Sequence, residues 1–523
     1  TYEVNFMMTQ GVLPFKYELT TKCGLTALAG LPPFFELASV LGMVASIEAH
    51  VRARFGGQGW TDAEMVMALV LLNLAGGEHV EDLDRLEADD GLCQVMLEIR
   101  GYRMTRKARR ELKRRWRKGR ERAFPSRSAM RRYLMEFHDA GEETRREVAR
   151  AEGVAAFIPA PGAHLVGMSK VNQGLMASIQ RHKPVTVATL DQDATLTETS
   201  KLEALYCYKH FKAYQPFNTW WAEQQSMLHT EFRDGNVPAG HQQLRCLQEA
   251  IALLPAGVEK ILLRSDSAGY QHELMKYCDA TDNKPWGRIE FTISADVSQE
   301  LKAASAKVAE LEWERLYRTD ENGDRWATNQ EWAEIDFVPS GDKRGKNATP
   351  YRYLAIREPM SDPELPGMEK PEAELPFPTA IFGSKVKKRY KLTAIVTNRT
   401  LPGEQLIWWH RERCGKSEEV HAILKDDLAG GVLPSGYFGA NAAWWWAAVL
   451  SFNLLMAMKR LVLKKEWLPR RLKAIRFQLI ALPGRVVRHA RKLVIKLGGG
   501  QTAYQLIVHI RTAIANLLPT PAT

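Results

Sequence analysis

The chain has 523 residues, 45% hydrophobic and 25% charged, which is enough apolar material for a large core spread over about two to four domains of roughly 150 residues. Those proportions exclude disorder as the overall state. A net charge of +11 and a pI near 9.2 make a polyanion the first partner to consider. Six cysteines (Cys23, Cys93, Cys207, Cys246, Cys278, Cys414) include no C-x-x-C pair, so neither a zinc site nor a disulfide framework fits, and reduced thiols in a reducing compartment are expected. The first residues lack the basic, apolar and cleavage regions of a signal peptide. The apolar run "AAWWWAAVLSFNLLMAM" is 17 residues long and carries Ser451 and Asn453, which predicts a buried core helix and no membrane partner.

In chain order, the first 150 residues read as helical. "TDAEMVMALVLLNLAGG" opens with Thr61 and Glu64 at capping-box spacing and closes on Gly76-Gly77. A second helical pattern, "VEDLDRLEADDGLCQVM", follows. Residues 103–122, "RMTRKARRELKRRWRKGRER", form the most basic stretch, with Glu111 and Glu121 its only carboxylates and Trp116 in its middle. A solvated helix face is the bland reading. Repulsion at this density favours phosphate contact through Arg103, Arg106, Lys107, Arg109, Arg110, Lys113, Arg114, Arg115 and Lys118. "FPSRSAMRRYLMEF" then opens with Pro125-Ser126 and presents Arg127, Ser128, Arg131 and Arg132, in the manner of a helix-turn-helix recognition helix.

From about Lys183 strands are predicted. "VTVATLDQDATL" is a buried core strand, and "LYCYKHFKAY" and "NTWWAEQQSMLHTEF" continue an antiparallel meander. "PAGHQQLRCLQEAIALL" is helical, "EKILLRSDSAGY" is strand then turn, "SAGYQHELMKYC" begins a helix and "RIEFTISADV" is strand, which together give a mixed α/β sheet. Residues 298–387 break the pattern with a charged helix, short strands and the proline-rich "SDPELPGMEKPEAELPFP", and read as an inserted, mostly β subdomain. "RYKLTAIVTN" resumes the core, a helix runs to Gly430-Gly431, and the remainder to Thr523 reads as helical, Trp-rich and then basic.

Two aspartates, Asp191 and Asp193, end the first core strand on one side of it. Asp266 follows the strand "KILLRS", and Glu418 or Glu419 lies on the helix after the insertion. Singly, each has an ordinary explanation: a turn aspartate, a cap for the helix after Asp266, an exposed helix glutamate. Jointly, carboxylates converging on one sheet edge repel unless divalent cations sit among them, and oxygen donors suit Mg²⁺ or Mn²⁺. Two such ions on a basic chain point to phosphoryl transfer on nucleic acid.

The wording around each acid, "TLDQDATL", "LRSDSAGY" and "RCGKSEEVHAILKDDLAGG", together with "LPFKYE", "GLTALAGLP", "LVLLNLAGGEHVEDLDRLE" and "LPSGYFGANAAWWW", resembles the DDE-type insertion-sequence transposases of the IS-thirteen-eighty family, related to the IS-four and Tn-five group. The resemblance implies an RNase H-like mixed α/β core at 151–297 and 388–431, interrupted by the β insertion. Around it stand a helical DNA-binding region at 1–150 and a helical C-terminal region at 432–523. It also implies Mg²⁺-dependent cleavage and strand transfer (Mn²⁺ substituting), double-stranded inverted-repeat ends and target DNA as partners, a homodimer, and a place at the nucleoid in the bacterial cytoplasm.

Carried over by position, Asp193-Ala194-Thr195 matches the family's Asp-x-Thr pattern, with Asp191 as neighbour or alternative, and Asp266 matches the second aspartate. The related Tyr-x2-Arg-x3-Glu-x6-Lys signature keeps its last spacing in Glu418 and Lys425, both on the helix side opposite the apolar stripe Val420, Ile423, Leu424 and Leu428, with Glu419 on a flank of that stripe. Arg413 stands one residue too far from Glu418, and Trp408 or Trp409 comes nearest to the tyrosine. Asp193, Asp266 and Glu418 are thus the expected metal ligands, Arg413 and Lys425 the phosphate clamps. Trp313, Trp326 and Trp332 are candidates to stack on an unpaired base, core packing being the competing role. Two other functions stand beside transposition: a non-catalytic DNA-binding regulator derived from a transposase, and a metal-dependent nuclease without strand transfer.

Overall fold

The computed structural model describes residues 22–54, 59–102, 104–115, 121–154, 156–201, 203–282, 285–320, 322–339, 351–360, 390–490 and 492–518. The motif at 13–18, Arg103, Trp116, Lys118, the side chain of Lys113 and the proline-rich stretch at 361–378 lie outside the described residues.

Up to residue 182 the described chain is a short strand, β1 (Leu25–Thr26), followed by helices α1 (Pro32–Val40), α2 (Met43–His50), α3 (Asp62–Ala75), α4 (Leu83–Ala88), α5 (Asp90–Gly101), α6 (Arg106–Arg114), α7 (Arg127–Met135), α8 (Ala140–Ala151) and α9 (Ala163–His182). Thr61 Oγ1 accepts from Glu64 N at 3.2 Å while the Glu64 carboxylate accepts from Thr61 N at 2.7 Å, the reciprocal cap that starts α3. Gly76 ends it in the left-handed region at φ +96°.

Next come β2 (Val187–Ala194), β3 (Thr197–Glu198), β4 (Leu205–Tyr206), β5 (Lys212–Tyr214), β6 (Phe217–Trp221), β7 (Ser226–Glu231), α10 (Gln243–Ala252), β8 (Lys260–Ser265), α11 (His272–Asp279) and β9 (Glu290–Ala295). They are followed by α12 (Gln299–Ser305), β10 (Glu314–Thr319), β11 (Arg325–Ile335), β12 (Arg352–Pro359), β13 (Tyr390–Thr397), α13 (Gly403–Arg411), α14 (Lys416–Ala422) and α15 (Phe438–Ala457). The chain closes with α16 (Leu472–Ile475), β14 (Gly484–His489), β15 (Lys492–Leu497) and α17 (Gly500–Ala515). Among the described residues the main sheet has nine strands in the order β10-β11-β12-β13-β9-β8-β2-β6-β7. β2, β8 and β9 are mutually parallel, and the remaining pairings are antiparallel.

The inserted stretch supplies β10, β11 and β12, which extend the core sheet, β12 pairing with β13 over eight positions. Two expectations need correction. The stretch "LYCYKHFKAY" is not part of the main meander. Its two-residue β4 and three-residue β5 join β3 in a small sheet of their own, because strands so short cannot span the core. The C-terminal region is not wholly helical. "GRVVRH" and "KLVIKL" alternate charged and branched apolar residues with period two, and they form the antiparallel ribbon β14–β15.

The apolar run seen in the sequence is α15, and all of its residues from Phe438 to Ala457 are buried. Among the described residues no single helix is long and apolar enough to cross a membrane. Helix α15 packs on α3, α9, α7 and the edge strand β7. An edge strand has backbone groups with no strand partner, and two buried asparagines satisfy them here. Met227 N donates to Asn453 Oδ1 at 2.8 Å, and the Met227 carbonyl accepts from Asn453 Nδ2 at 2.8 Å and Asn172 Nδ2 at 2.9 Å. Replacing Asn453 with the similarly sized Leu should therefore destabilise the fold by about 1–3 kcal/mol for each buried group left unpaired. A denaturant midpoint equal to the parent's contradicts this assignment.

Candidate active site

Strands β2 and β8 lie side by side and in parallel, with Asp191 opposite Arg264 and Gln192 opposite Ser265. The next residue of each strand is an acid, Asp193 and Asp266, so the two carboxyl groups emerge at the same edge. Asp266 caps the tight turn that follows β8, one oxygen accepting from Ala268 N at 3.1 Å. Burial pushes the Asp193 carboxyl up to about 7. Arg413 and the Ala194 N–H oppose that shift, while Asp266 and Glu418 both reinforce it. Two acids 73 and 225 residues downstream in sequence thus bear on one carboxyl group.

Asp191 sits on the same side of β2 but in a different environment. Its carboxylate is 2% exposed and receives both arms of the equally buried Arg264, Nε to Oδ1 at 2.6 Å and Nη2 to Oδ2 at 2.9 Å. The same guanidinium donates to the Trp409 carbonyl at 2.7 Å and to Glu412 at 2.8 Å, and it lies over the Trp409 ring, which also carries Arg399. Both Asp191 oxygens are committed within the protein.

Glu418 comes from the other side of the cleft. Gly415, at φ +77°, turns the chain between α13 and α14, and its N–H donates to Glu418 Oε2 at 2.6 Å. Glu419 points elsewhere, toward Lys416 at 3.4 Å. Val420, Ile423, Leu424 and Leu428 are buried as the wheel required. Past Ala422 the helix loosens into a π turn over Ile423–Asp427, closed by Leu428 N donating to Ile423 O at 2.8 Å. Glu418, Lys425, Asp193 and Thr195 line one cleft of about 900 Å³, and Lys425 Nζ donates to the Leu196 carbonyl at 3.3 Å. Arg413 is buried, with Nη2 3.8 Å from Asp193 and its Nε lacking a hydrogen-bond partner among the described residues.

Residues that the sequence did not single out complete the edge. Asn218 faces Asp193 across β6. Its Oδ1 accepts from Thr230 Oγ1 at 2.7 Å, so its Nδ2 is the donor toward His421 Nε2 at 3.2 Å. Burial, with Lys425 and Arg413 nearby, drives His421 down to about 3, which makes it a neutral ring with its proton on Nδ1. Trp445 Nε1 donates to Thr230 Oγ1 at 2.9 Å, so this chain of bonds runs from α15 through β7 and β6 to the helix that carries Glu418. Over the cleft the β4–β5 hairpin projects Tyr208, exposed, and Lys209. A signal was present for His421, one helical turn beyond Glu418; none marked Asn218.

The expected DNA-contacting side chains divide. Arg106, Lys107, Arg109, Arg110 and Arg114 are exposed on α6 and Arg127, Arg131 and Arg132 on α7, where Arg131 pairs with Glu81. Arg115 instead turns inward to Glu64 and the Gly59 carbonyl. Trp332 packs against Gly403, and Arg357 lies over Trp313, leaving Trp326 the exposed one of the three. Elsewhere Glu231, Cys246 and Glu249 bring their ligand atoms within 4.8 Å of one another, a closer grouping than the strand-end acids. Arg233 and Arg245 fill it at 2.6 and 2.5 Å from Glu231, and burial holds Cys246 as a thiol with its pKa raised to about 12. That cluster is a neutralised ion-pair network.

The described residues thus form a mixed α/β molecule with one large mixed sheet. The chain matches the family described as Transposase DDE domain group 1 over residues 20–337 and 384–519, and it belongs to that family. No protein of curated function matches it. Among solved structures it is similar to a piggyBac transposase synaptic complex with hairpin DNA at 9% identity and a TM-score of 0.42, covering 96% of this chain and 89% of that one. A likeness that low carries nothing further across.

Two substitutions separate the neighbouring aspartates by stability. Asp191→Asn leaves Arg264 buried with Glu412 as its remaining acid and should cost toward the lower end of roughly 3–5 kcal/mol. Asp193 holds its proton to about pH 7 in the folded state against roughly 4 unfolded, so its contribution to stability falls as pH rises through that window. Asp193→Asn should flatten that fall. Urea midpoints at pH 5 and pH 8 read both, and an unaltered pH difference in Asp193→Asn contradicts the assignment.

Proposed function

We propose that this chain is a DNA transposase of the IS-thirteen-eighty type, with an RNase H-like core, which cuts transposon ends at their inverted repeats and joins them to target DNA as a homodimer. The observation that carries the reading is the joint action of Asp266 and Glu418 on the Asp193 carboxyl, in a chain of the DDE transposase family. Asp193, Asp266 and Glu418 are the ligands. Asp266 and Glu418 each engage one oxygen with a backbone N–H, whereas both oxygens of Asp191 are taken by Arg264. An all-oxygen set with mutual repulsion suits Mg²⁺, or Mn²⁺ in its place. When bound, such ions lower the pKa of a coordinated water or hydroxyl and neutralise charge on the leaving oxygen.

The protein's own groups supply the rest. Lys425 lines the cleft and Arg413 stands beside Asp193, and together they hold the phosphate whose bond is cut. Asp191 is a positioning residue that acts through Arg264 on the β2–β8 edge. His421, held neutral, fixes the turn of α14 and so the reach of Glu418. Exposed Arg106, Lys107, Arg109, Arg110, Arg114, Arg127 and Arg132 track the duplex backbone.

The test is cleavage of a labelled end duplex across a titration of Mg²⁺ and Mn²⁺. Glu418→Gln and Asp266→Asn should abolish cutting with duplex binding retained, and Glu419→Gln should keep a substantial part of it. A Glu418→Gln protein that still cuts near the parent rate contradicts the ligand set. Cutting without joining by the parent makes it a nuclease, and binding without cutting makes it a regulator.

A further inference from the structure

The last 57 residues, from Trp467 to Thr523, contain ten Lys or Arg and neither Asp nor Glu. Four of those cations, Arg485, Arg488, Lys492 and Lys496, are described on the β14–β15 ribbon, whose register fixes how they are arranged. Arg485 pairs across the strands with Lys496, Val487 with Val494 and His489 with Lys492. These six residues alternate with Val486, Arg488, Leu493 and Ile495, so they share one face. The other face is turned to the protein: Val486 is buried and Arg488 reaches Glu98 of α5 at 2.8 Å. On the first face Arg485, His489, Lys492, Val494 and Lys496 are all exposed.

A solvated strand face normally intersperses acids, and two cations directly opposite each other are destabilising. Among the described residues the ribbon's ion pair is Arg488 with Glu98, on the inner face, and Arg485 Nε meets a carbonyl, that of Cys23, at 3.4 Å. Among the described residues the outer face therefore lacks its counter-charge. The two basic pairs are four residues apart, roughly 13 Å along an extended strand, and flank the apolar Val487–Val494 pair. β1 also pairs with β14, at Gly484 and Arg485, so beyond Arg485 the β14–β15 hairpin continues as two strands, and its roughly 13 Å spacing of cations matches a duplex major groove about 12 Å wide. The ribbon and the basic helix α6 also adjoin the same element, since β14 packs on α5 and α5 leads into α6.

We propose that the β14–β15 ribbon is a second duplex-binding element, laying Arg485 and Lys496 on one phosphate rim of a groove and Lys492 with His489 on the other. The proposal rests on the DNA-directed reading above and adds to it a surface that reading does not use. Phosphate contacts are sequence-independent, so the ribbon contributes affinity and orientation for any duplex.

The experiment uses the full chain, a fluorescein-labelled random-sequence duplex of about 30 bp and anisotropy over a KCl series. In R485A/K492A/K496A the slope of log K against log salt should fall by about 0.9 for each phosphate no longer neutralised, or about 2–3 in total, with at least a ten-fold weaker affinity near 0.1 M salt. R485K/K492R/K496R should bind like the parent. Because the alanine variant removes a like-charge pair, its thermal midpoint should stay level or rise. An unchanged slope overturns the proposal, as does weaker binding tied to a lowered midpoint that the charge-keeping variant does not restore. A loss of binding to anionic lipid vesicles with duplex binding intact also overturns it, in favour of a membrane surface. Cleavage is read separately: a parent that cuts ends while the ribbon variant keeps its slope fails this inference alone, and a parent that binds through the ribbon but never cuts fails the functional reading alone.

Discussion

The edge that carries the acids depends on one buried ion pair. Asp191 and Arg264 face each other across adjacent parallel strands, both 2% exposed, and the two hydrogen bonds between them lock β2 to β8 two residues before Asp193 and two before Asp266. Arg264 then ties that edge to the far side of the cleft through the Trp409 carbonyl and Glu412. Such a pair is costly to desolvate and is tolerated where geometry fixes every donor and acceptor. Here the return is positional. A slip of β2 against β8 breaks both bonds and separates the acids.

With that frame set, the chemistry of each carboxyl group follows from what else it touches. Asp191 has no oxygen to offer, Asp266 and Glu418 each bond one backbone N–H, and Asp193 sits half enclosed beside Arg413. Burial first, and then its two acidic neighbours, lift Asp193, and on the proposed reading a cation relieves that repulsion. The Glu231–Cys246–Glu249 group is geometrically tighter, yet its charge is already cancelled by two arginines. The proposed reading therefore prefers the strand-end acids on net local charge and not on proximity. The family match makes the acids meaningful together, and the neutral His421 between Asn218 and the cleft lends them a rigid backing.

The sequence exposed what is local. Thr61 and Glu64 announced their reciprocal cap, the apolar run announced a buried α15, and the spacing of Val420, Ile423, Leu424 and Leu428 announced the inner side of the Glu418 helix. The two aspartates of β2 were visible as an anomaly, but the partner of Asp191 was not, because Arg264 lies 73 residues away and only strand pairing brings it to Asp191. For the same reason the place of the insertion's strands was not legible: nothing in "YRYLAIREP" states that it will pair with "RYKLTAIVTN". The ribbon at the end of the chain was misread because its period-two alternation was hidden in a basic background that also suits a helix. Asn218 was silent, since an asparagine in a strand bears no mark of the neighbour it will meet.

The central claim is that this edge is a metal site formed by Asp193, Asp266 and Glu418 and held in register by Asp191. Anomalous scattering from crystals of the full chain grown with Mn²⁺ tests it directly. The account requires manganese peaks bonded to oxygens of those three residues, with Asp191 still on Arg264. Manganese on the Glu231–Cys246–Glu249 cluster, or on Asp191 with Arg264 displaced, contradicts it.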